Sequence, residues 1–148
     1  MKKFILASAV LLAMTACSSD DSNSTSGNGN EYSCNVSRNA NTVTMNLKYR
    51  SYEELRTVTF DSHGENPYYT VKRTFPTETY AQGECQSEKD DGYYKDIECS
   101  GKTVQLGESA EDDNMDYYED YYKRRCARYD EEYGDGKLAE NYDKTFGH

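Results

Sequence analysis

Alternating apolar and polar residues run through the first half of the chain and predict β-strands. The clearest segment is 42–49, where four apolar residues alternate with polar ones, so that one face of the strand is apolar and the other polar. Residues 32–37 alternate in the same way, and the turn-forming residues 39–41 separate the two segments. The pattern therefore predicts an antiparallel hairpin that begins near residue 32.

Four further segments are predicted strands: 54–60, 68–75, 93–99 and 102–106. A two-residue turn at Ser100-Gly101 is expected to join the last two segments. Residues 77–89 are ambiguous, because Thr77 is a suitable helix N-cap whereas Gly83 weakens a helix.

The apolar period changes to that of a helix near the end of the chain. One apolar stripe recurs at spacings of three and four residues and consists of Met115, Tyr118, Tyr122, Cys126, Tyr129 and Tyr133. Ser109 is the predicted N-cap, with acidic residues at 111–113 in the first turn, and Gly134 and Gly136 are expected to end the helix. Strands followed by a long helix predict an α+β fold: a small antiparallel β-sheet with the C-terminal helix packed on one face.

The first residues have the layout of a secretory signal peptide. Lys2 and Lys3 precede an apolar stretch at 4–14, and the small residues Thr15 and Ala16 follow it. This stretch is shorter than the roughly 20 apolar residues that a membrane-spanning helix needs. We therefore interpret residues 1–16 as a signal peptide.

The Met14-Thr15-Ala16-Cys17 sequence resembles the lipobox of bacterial lipoproteins, in which Leu is commonest at the first position. The resemblance implies cleavage before Cys17, a diacylglycerol on its sulfur and an acyl chain such as palmitate on its new amino group. Two or more chains anchor a protein stably where one does not. The expected location is the bacterial cell envelope, lipid-anchored at the outer membrane on its periplasmic or outer face. The alternative is ordinary secretion with cleavage after Ala16.

Three regions follow from this interpretation. Residues 1–16 are the signal peptide, residues 17–31 a lipidated flexible tether, and residues 32–148 a single α+β domain. The tether prediction depends on the segment 18–30, which is rich in Ser, Asn and Gly and has no apolar residue to bury. The tail from about residue 137 has few apolar residues and is expected to fray.

Four cysteines remain once Cys17 is set aside, and an even number in an exported chain predicts two disulfides. Three pairings are possible. The nested pairing, Cys34–Cys126 with Cys85–Cys99, is favoured because it ties the first strand to the core-facing stripe of the last helix. The sequential pairing, Cys34–Cys85 with Cys99–Cys126, is the main alternative.

The composition is acidic and rich in tyrosine, with a formal net charge of −10, fifteen Tyr and no Trp. An acidic surface repels nucleic acid, so no nucleic-acid partner is expected. Adjacent Tyr pairs occur at 68–69, 93–94, 117–118 and 121–122, and one member of each should point inward and the other outward. Tyr117 and Tyr121 are the candidate binding residues, since exposed rings one helical turn apart could stack on sugar or peptide.

Three other segments contain residue types that are found in catalytic, calcium-binding or anion-binding sites. Asp61-Ser62-His63 contains the residue types of a hydrolase triad but is better explained as a turn. The segment 87–98 fits an EF-hand loop poorly, because Ser87 and Lys89 stand where carboxylates are wanted. Arg124, Arg125 and Arg128 are interpreted as charge balance at the helix end. No catalytic residue, metal site or cofactor is predicted.

The segment from Tyr32 to Tyr49 is similar to the start of periplasmic lysozyme-inhibitor lipoproteins, through Tyr32-Ser33-Cys34 and the strand after it. That resemblance implies a barrel that binds a cationic enzyme. The family's later Ser-Gly and Tyr motif is absent, and a long C-terminal helix is foreign to its barrel. The sequence therefore predicts a non-enzymatic binding module with a protein or carbohydrate partner. The alternatives are an inhibitor or scavenger of a cationic protein such as a lysozyme-like enzyme, and then a hydrolase of envelope or extracellular polymer.

Overall fold

Six strands and two helices make up most of the residues that the computed structural model describes, which are 32–110 and 114–134. In chain order they are β1 (Tyr32–Arg38), β2 (Thr42–Tyr49), β3 (Tyr52–Thr59), β4 (Tyr68–Thr74), α1 (Glu78–Asp91), β5 (Asp96–Ser100), β6 (Thr103–Ser109) and α2 (Met115–Tyr133). The predicted α+β class is confirmed. The ambiguous segment forms α1, and the side chain of Thr77 caps it by accepting from the backbone N–H of Tyr80.

The strands form one antiparallel sheet in the order β1-β2-β3-β4-β6-β5. The first four strands follow one another as a meander. Helix α1 then leads to the β5–β6 hairpin, which pairs with β4 through β6 and leaves β5 at the edge. The predicted β1–β2 hairpin is confirmed.

Both helices cover the same face of the sheet. Residues directly opposite one another on paired strands share a face. One such row crosses all six strands and consists of Cys34, Leu47, Glu54, Arg73, Val104 and Cys99. Cys34 at one end of the row is bonded to α2, and Cys99 at the other end is bonded to α1. This inner face is therefore covered by both helices, whereas the outer face is mostly polar.

Helix α2 packs on β1 and β2 through the predicted stripe. Four members of the stripe are buried, namely Tyr118, Tyr122, Cys126 and Tyr133, and Met115 and Tyr129 pack against the core at its margin. The helix begins beside Arg38, which pairs with Asp116 and Glu119. It ends where the ring of Tyr133 stacks on Tyr49. It therefore runs antiparallel to β1.

The disulfides join Cys34 to Cys126 and Cys85 to Cys99, which is the nested pairing. Their sequence separations are 92 and 14 residues. The first bridge connects the edge strand β1 to α2, and the second connects α1 to the opposite edge strand β5.

Three predicted boundaries were wrong. Ser109 is not the N-cap of the long helix. It is the last residue of β6, opposite Tyr68, and the N-cap is Asn114. Pairing with β4 extends the strand past the point where local propensity favours a helix start.

The turn between β5 and β6 consists of Gly101 and Lys102, one residue later than predicted. Gly101 has a φ of +53°, which a residue without a Cβ adopts at little cost. Strand β5 begins at Asp96 rather than at Tyr93, so Tyr93 and Tyr94 precede the ladder.

Several predictions lie outside the described residues. These are the signal peptide, Cys17 and the tether within residues 1–31, the acidic residues 111–113, Gly136 and the tail from about 137. Within residues 32–110 and 114–134, no helix has the length and apolarity needed to cross a membrane.

Candidate functional site

An open cleft lies between the first turns of α2 and the end of the sheet where β4 begins and β6 ends. Its volume is about 500 Å³, and six tyrosines line it: Tyr69, Tyr93, Tyr94, Tyr117, Tyr118 and Tyr121. Arg56, Glu108, Ser109 and Ala110 complete the lining. We call this the tyrosine cleft. Its volume is within the usual range for small-molecule sites, about 300–1,000 Å³.

The rings of the cleft form two parallel pairs. On α2, the rings of Tyr117 and Tyr121 are 6.3 Å apart with an interplanar angle of 5°. On the side of the sheet, the rings of Tyr69 and Tyr94 are 6.4 Å apart at 19°. Tyr93 meets Tyr94 edge to face. The cleft therefore presents flat aromatic surfaces from two separate parts of the fold.

Helix geometry brings Tyr117 and Tyr121 to the same side of α2. Residues four apart lie one turn apart on the same side of a helix, and Tyr117 and Tyr121 flank the buried stripe. Tyr117 is 45% exposed, whereas its neighbour Tyr118 is buried and meets Phe60 edge to face. The side-chain oxygen of Asn114 caps the helix by accepting a hydrogen bond from the backbone N–H of Tyr117, which holds this end of the helix in place.

Arg125 supports Tyr121 from the next turn of α2. Its guanidinium lies 5.8 Å from the ring centre of Tyr121 and 5.6 Å from that of Tyr129. It also donates hydrogen bonds to both hydroxyl oxygens, at 3.2 and 2.8 Å respectively. These contacts fix the ring of Tyr121 in its orientation.

The floor of the cleft is Arg56, which belongs to a buried cluster of charged residues. Glu54 is 3% exposed and accepts hydrogen bonds from Arg56 (2.5 Å), Arg73 (3.1 Å) and the hydroxyl of Tyr52 (3.0 Å). Arg73 also donates to Glu84 and Glu88 of α1. We call Glu54, Arg56, Arg73, Glu84 and Glu88 the ionic cluster. It fills the inner face between the two helices.

The charges of the ionic cluster are mutually stabilised. Burial alone would raise the pKa of Glu54, but the neighbouring Arg56 and Arg73 outweigh burial and hold this pKa below its usual value. Burial would lower the pKa of Arg56, but Glu54 more than compensates and raises it. Glu54 and Arg56 are therefore a buried ion pair at neutral pH.

The hydroxyl of Tyr69 remains protonated at neutral pH. Burial raises the pKa of Tyr69 above its usual value, and Arg56 offsets this only in part. Burial likewise raises the pKa of Glu108 at the rim, and a hydrogen bond from Tyr93 opposes that shift. The cleft thus combines phenol hydroxyls, one guanidinium and one carboxylate.

The structure places both predicted binding residues, Tyr117 and Tyr121, in this cleft. The Tyr pairs at 68–69, 93–94 and 117–118 each have one exposed member, namely Tyr68, Tyr93 and Tyr117. Sequence reasoning missed the contribution of Tyr69, Tyr94 and Arg56 to the site. The pairs 68–69 and 93–94 were the available signal, but nothing in the sequence brings them beside α2.

The weaker candidates are not brought together as sites. Asp61 accepts hydrogen bonds from the backbone of His63 and Glu65 and from the side chain of Asn66, which closes a turn. The first residues of the EF-hand-like segment belong to α1, and Gly92 ends that helix in the left-handed conformation. Within the described part of the chain, no group of three or more His, Cys, Asp or Glu could hold a metal ion.

Comparison with known proteins identifies no relative. No protein-family model, curated protein or solved structure matches the chain. The chemistry of the site therefore has to be argued from its own geometry.

Proposed function

We propose that this protein is a lipid-anchored, non-enzymatic binding module of the bacterial cell envelope, held at the outer membrane, and that the tyrosine cleft is its ligand site. The signal-peptide pattern and the lipobox-like sequence ending at Cys17 support the anchor. The observation that carries the binding role is a cleft walled by two parallel Tyr pairs. Tyr provides a large, rigid and amphipathic contact area at low cost in conformational entropy.

The position of the cleft suits an anchored receptor. The chain enters the domain at Tyr32, which lies opposite Tyr49. The cleft is at the other end of the strands, near the pairing of Tyr68 with Ser109. A domain held from the Tyr32 end would therefore present the cleft away from its anchor.

The lining favours binding over hydrolysis. Glycoside hydrolysis by acid–base chemistry uses a pair of carboxylates. Among the described residues, Glu108 is the one carboxylate that lines the cleft. An inhibitor of a cationic protein would need a concave acidic surface, whereas here the carboxylate is accompanied by Arg56.

The anchor is tested by metabolic labelling with a palmitate analogue. Wild-type protein should be labelled, and Cys17→Ala should not, because the thiol is the atom that would be acylated. Labelling of the mutant at the wild-type level would contradict the anchor.

The ligand site is tested by retention of isolated envelope polysaccharides and envelope proteins on the immobilised full-length protein. Tyr117→Ala should weaken retention at least tenfold, about 1.4 kcal/mol, since truncating a Tyr at a binding hot spot commonly costs more than this. Tyr68→Ala is the matched control, because Tyr68 is similarly exposed, at 39%, but lies on the outer face of the sheet. Retention that is insensitive to Tyr117→Ala, or absent altogether, would overturn the proposal.

A further inference from the structure

We propose that the ligand of the tyrosine cleft is an uncharged saccharide, so that the protein recognises a neutral glycan. This inference rests on the proposed function and names the chemical class that the same cleft selects. Three properties of the cleft carry it: its balance of charge, the direction of its hydrogen bonds and the arrangement of its rings.

The charge of the cleft is balanced. Arg56 is 7% exposed and is already paired with Glu54, and Glu108 already accepts a hydrogen bond from Tyr93. An organic cation in the cleft would approach the guanidinium of Arg56, and an anion would approach the carboxylate of Glu108. An uncharged ligand meets neither repulsion and does not require the Arg56–Glu54 ion pair to be broken.

Hydrogen bonds within the protein give two hydroxyls a defined direction. The hydroxyl oxygen of Tyr69 accepts from Arg56, and that of Tyr121 accepts from Arg125. Each hydroxyl hydrogen is therefore left to donate to a ligand. Glu108, which shares the inner face with Tyr69, is a pure acceptor when ionised. Sugar hydroxyls and ring oxygens are suited to this mixture, because they supply donors and acceptors on one ring.

The geometry of the rings suits the apolar face of a sugar. A pyranose has a face of C–H groups, which packs flat against an aromatic ring, and hydroxyls around its edge. The two parallel Tyr pairs present such flat rings, and the hydroxyls of Tyr69 and Tyr121 lie at the ring edges. The volume of about 500 Å³ has room for a short oligosaccharide.

The test is a titration of full-length lipoprotein carrying ¹³C-labelled tyrosine rings, held in a polyoxyethylene detergent that contains no sugar. The uncharged probes are maltotriose, cellotriose and chitotriose, the cationic probe is tetramethylammonium, and the anionic probe is glucuronate. At least one uncharged probe should shift the ring signals of the cleft tyrosines saturably and leave the signal of Tyr68 unchanged.

Two variants and one change of conditions sharpen the result. Tyr117→Ala should lower the affinity for the uncharged probe at least tenfold, whereas Tyr117→Phe, which keeps the ring, should stay within about threefold. Raising the salt concentration should leave the affinity unchanged, since no ligand charge is screened.

The possible failures are distinguishable. If tetramethylammonium alone shifts the cleft rings and Glu108→Gln abolishes the shift, the saccharide class is wrong and the binding cleft stands. If glucuronate alone binds, the ligand is anionic. The proposal of an uncharged saccharide is then wrong, and the binding cleft stands. If no saccharide binds while an envelope protein is still retained in a Tyr117-dependent manner, the ligand class is again overturned. If nothing binds through Tyr117, the proposed function fails with it.

Discussion

The two helices lie on the same face of one sheet, and each is joined to an edge strand by one disulfide, yet they are held in different ways. Helix α2 buries an aromatic stripe, and both cysteines of its bridge are buried. Helix α1 buries only Ala81 and Cys85, and its bridge reaches Cys99, which is exposed. Its further links to the sheet include the ion pairs of Arg73 with Glu84 and Glu88. Apolar area thus holds one helix, whereas a covalent bond and buried charges hold the other.

The difference matters for the tyrosine cleft, because α2 supplies one wall and the ionic cluster supplies the floor. Burial of a large aromatic side chain is non-directional, whereas a buried ion pair fixes the direction of each charged group. The aromatic stripe keeps α2 against the sheet, and the ionic cluster orients Arg56 beneath Tyr69.

The largest expected effect is removal of the buried disulfide. The double variant Cys34→Ser/Cys126→Ser should lower the free energy of unfolding by about 4–5 kcal/mol, against about 3 kcal/mol for Cys85→Ser/Cys99→Ser, because the longer loop restricts the unfolded chain more. Urea denaturation of the two variants checks the order. A larger loss of unfolding free energy for Cys85→Ser/Cys99→Ser than for Cys34→Ser/Cys126→Ser would contradict this order.

Removal of the central aromatic ring of α2 should have the next largest effect. Tyr122 is completely buried, so Tyr122→Ala should lower the free energy of unfolding by roughly 3–5 kcal/mol. Tyr122→Phe is the control, and its effect should be close to zero, because the hydroxyl of Tyr122 has no hydrogen-bond partner among the described residues. Thermal melting of both variants tests this. A wild-type melting temperature for Tyr122→Ala would show that the ring does not support the helix.

A smaller loss is expected when the ionic cluster is broken. Glu54→Gln should cost about 3 kcal/mol, the lower end of the range for a broken buried ion pair, because Arg73 keeps its bonds to Glu84 and Glu88. Glu53→Gln is the matched control. Glu53 is the preceding residue, faces the outer side and pairs with Lys48 at the surface, where such pairs contribute about 0–1 kcal/mol.

The loss of stability caused by Glu54→Gln should depend on pH, and the direction of this dependence follows from the pKa of Glu54. The pKa of Glu54 is lower in the folded protein than its ordinary value of 4.5. Its contribution to stability is therefore fully present above that value and is lost as the pH falls through the lower, folded pKa. The stability difference between wild type and Glu54→Gln should narrow in this acidic window. A difference that stays constant down to the acid-unfolded state would contradict the ion pair.

The sequence alone predicts much of the α2 half of the molecule. The stripe from Met115 to Tyr133 has a clear helical period, and the same period places Cys126 toward the sheet. Because a regular element repeats its own geometry, local spacing is enough to predict which face is buried. Tyr117 and Tyr121 follow from the same argument.

The α1 half and the floor of the cleft could not be predicted in this way. In β3 the apolar Leu55 points outward and is exposed, while Glu54 and Arg56 point inward. Tyr52 and Val58, on the same face as these charged residues, are both buried. Glu54 is bonded to Arg73 as well as to Arg56, and Arg73 is bonded in turn to Glu84 and Glu88. Because Arg73, Glu84 and Glu88 are distant in sequence from β3, no local pattern marks its charged residues as buried.

The bridge from Cys34 to Cys126 also has a mechanical consequence. A pull on the N-terminal side of the chain is applied at Tyr32, and β1 is an edge strand that would otherwise peel from β2 one residue pair at a time. Cys34 is only two residues further along, so the load passes through the covalent bridge into the middle of α2. The rest of β1 and its hydrogen bonds to β2 are then outside the line of force. To unravel the domain from this end, the pull would have to move the whole helix, with its buried aromatic side chains, away from the sheet.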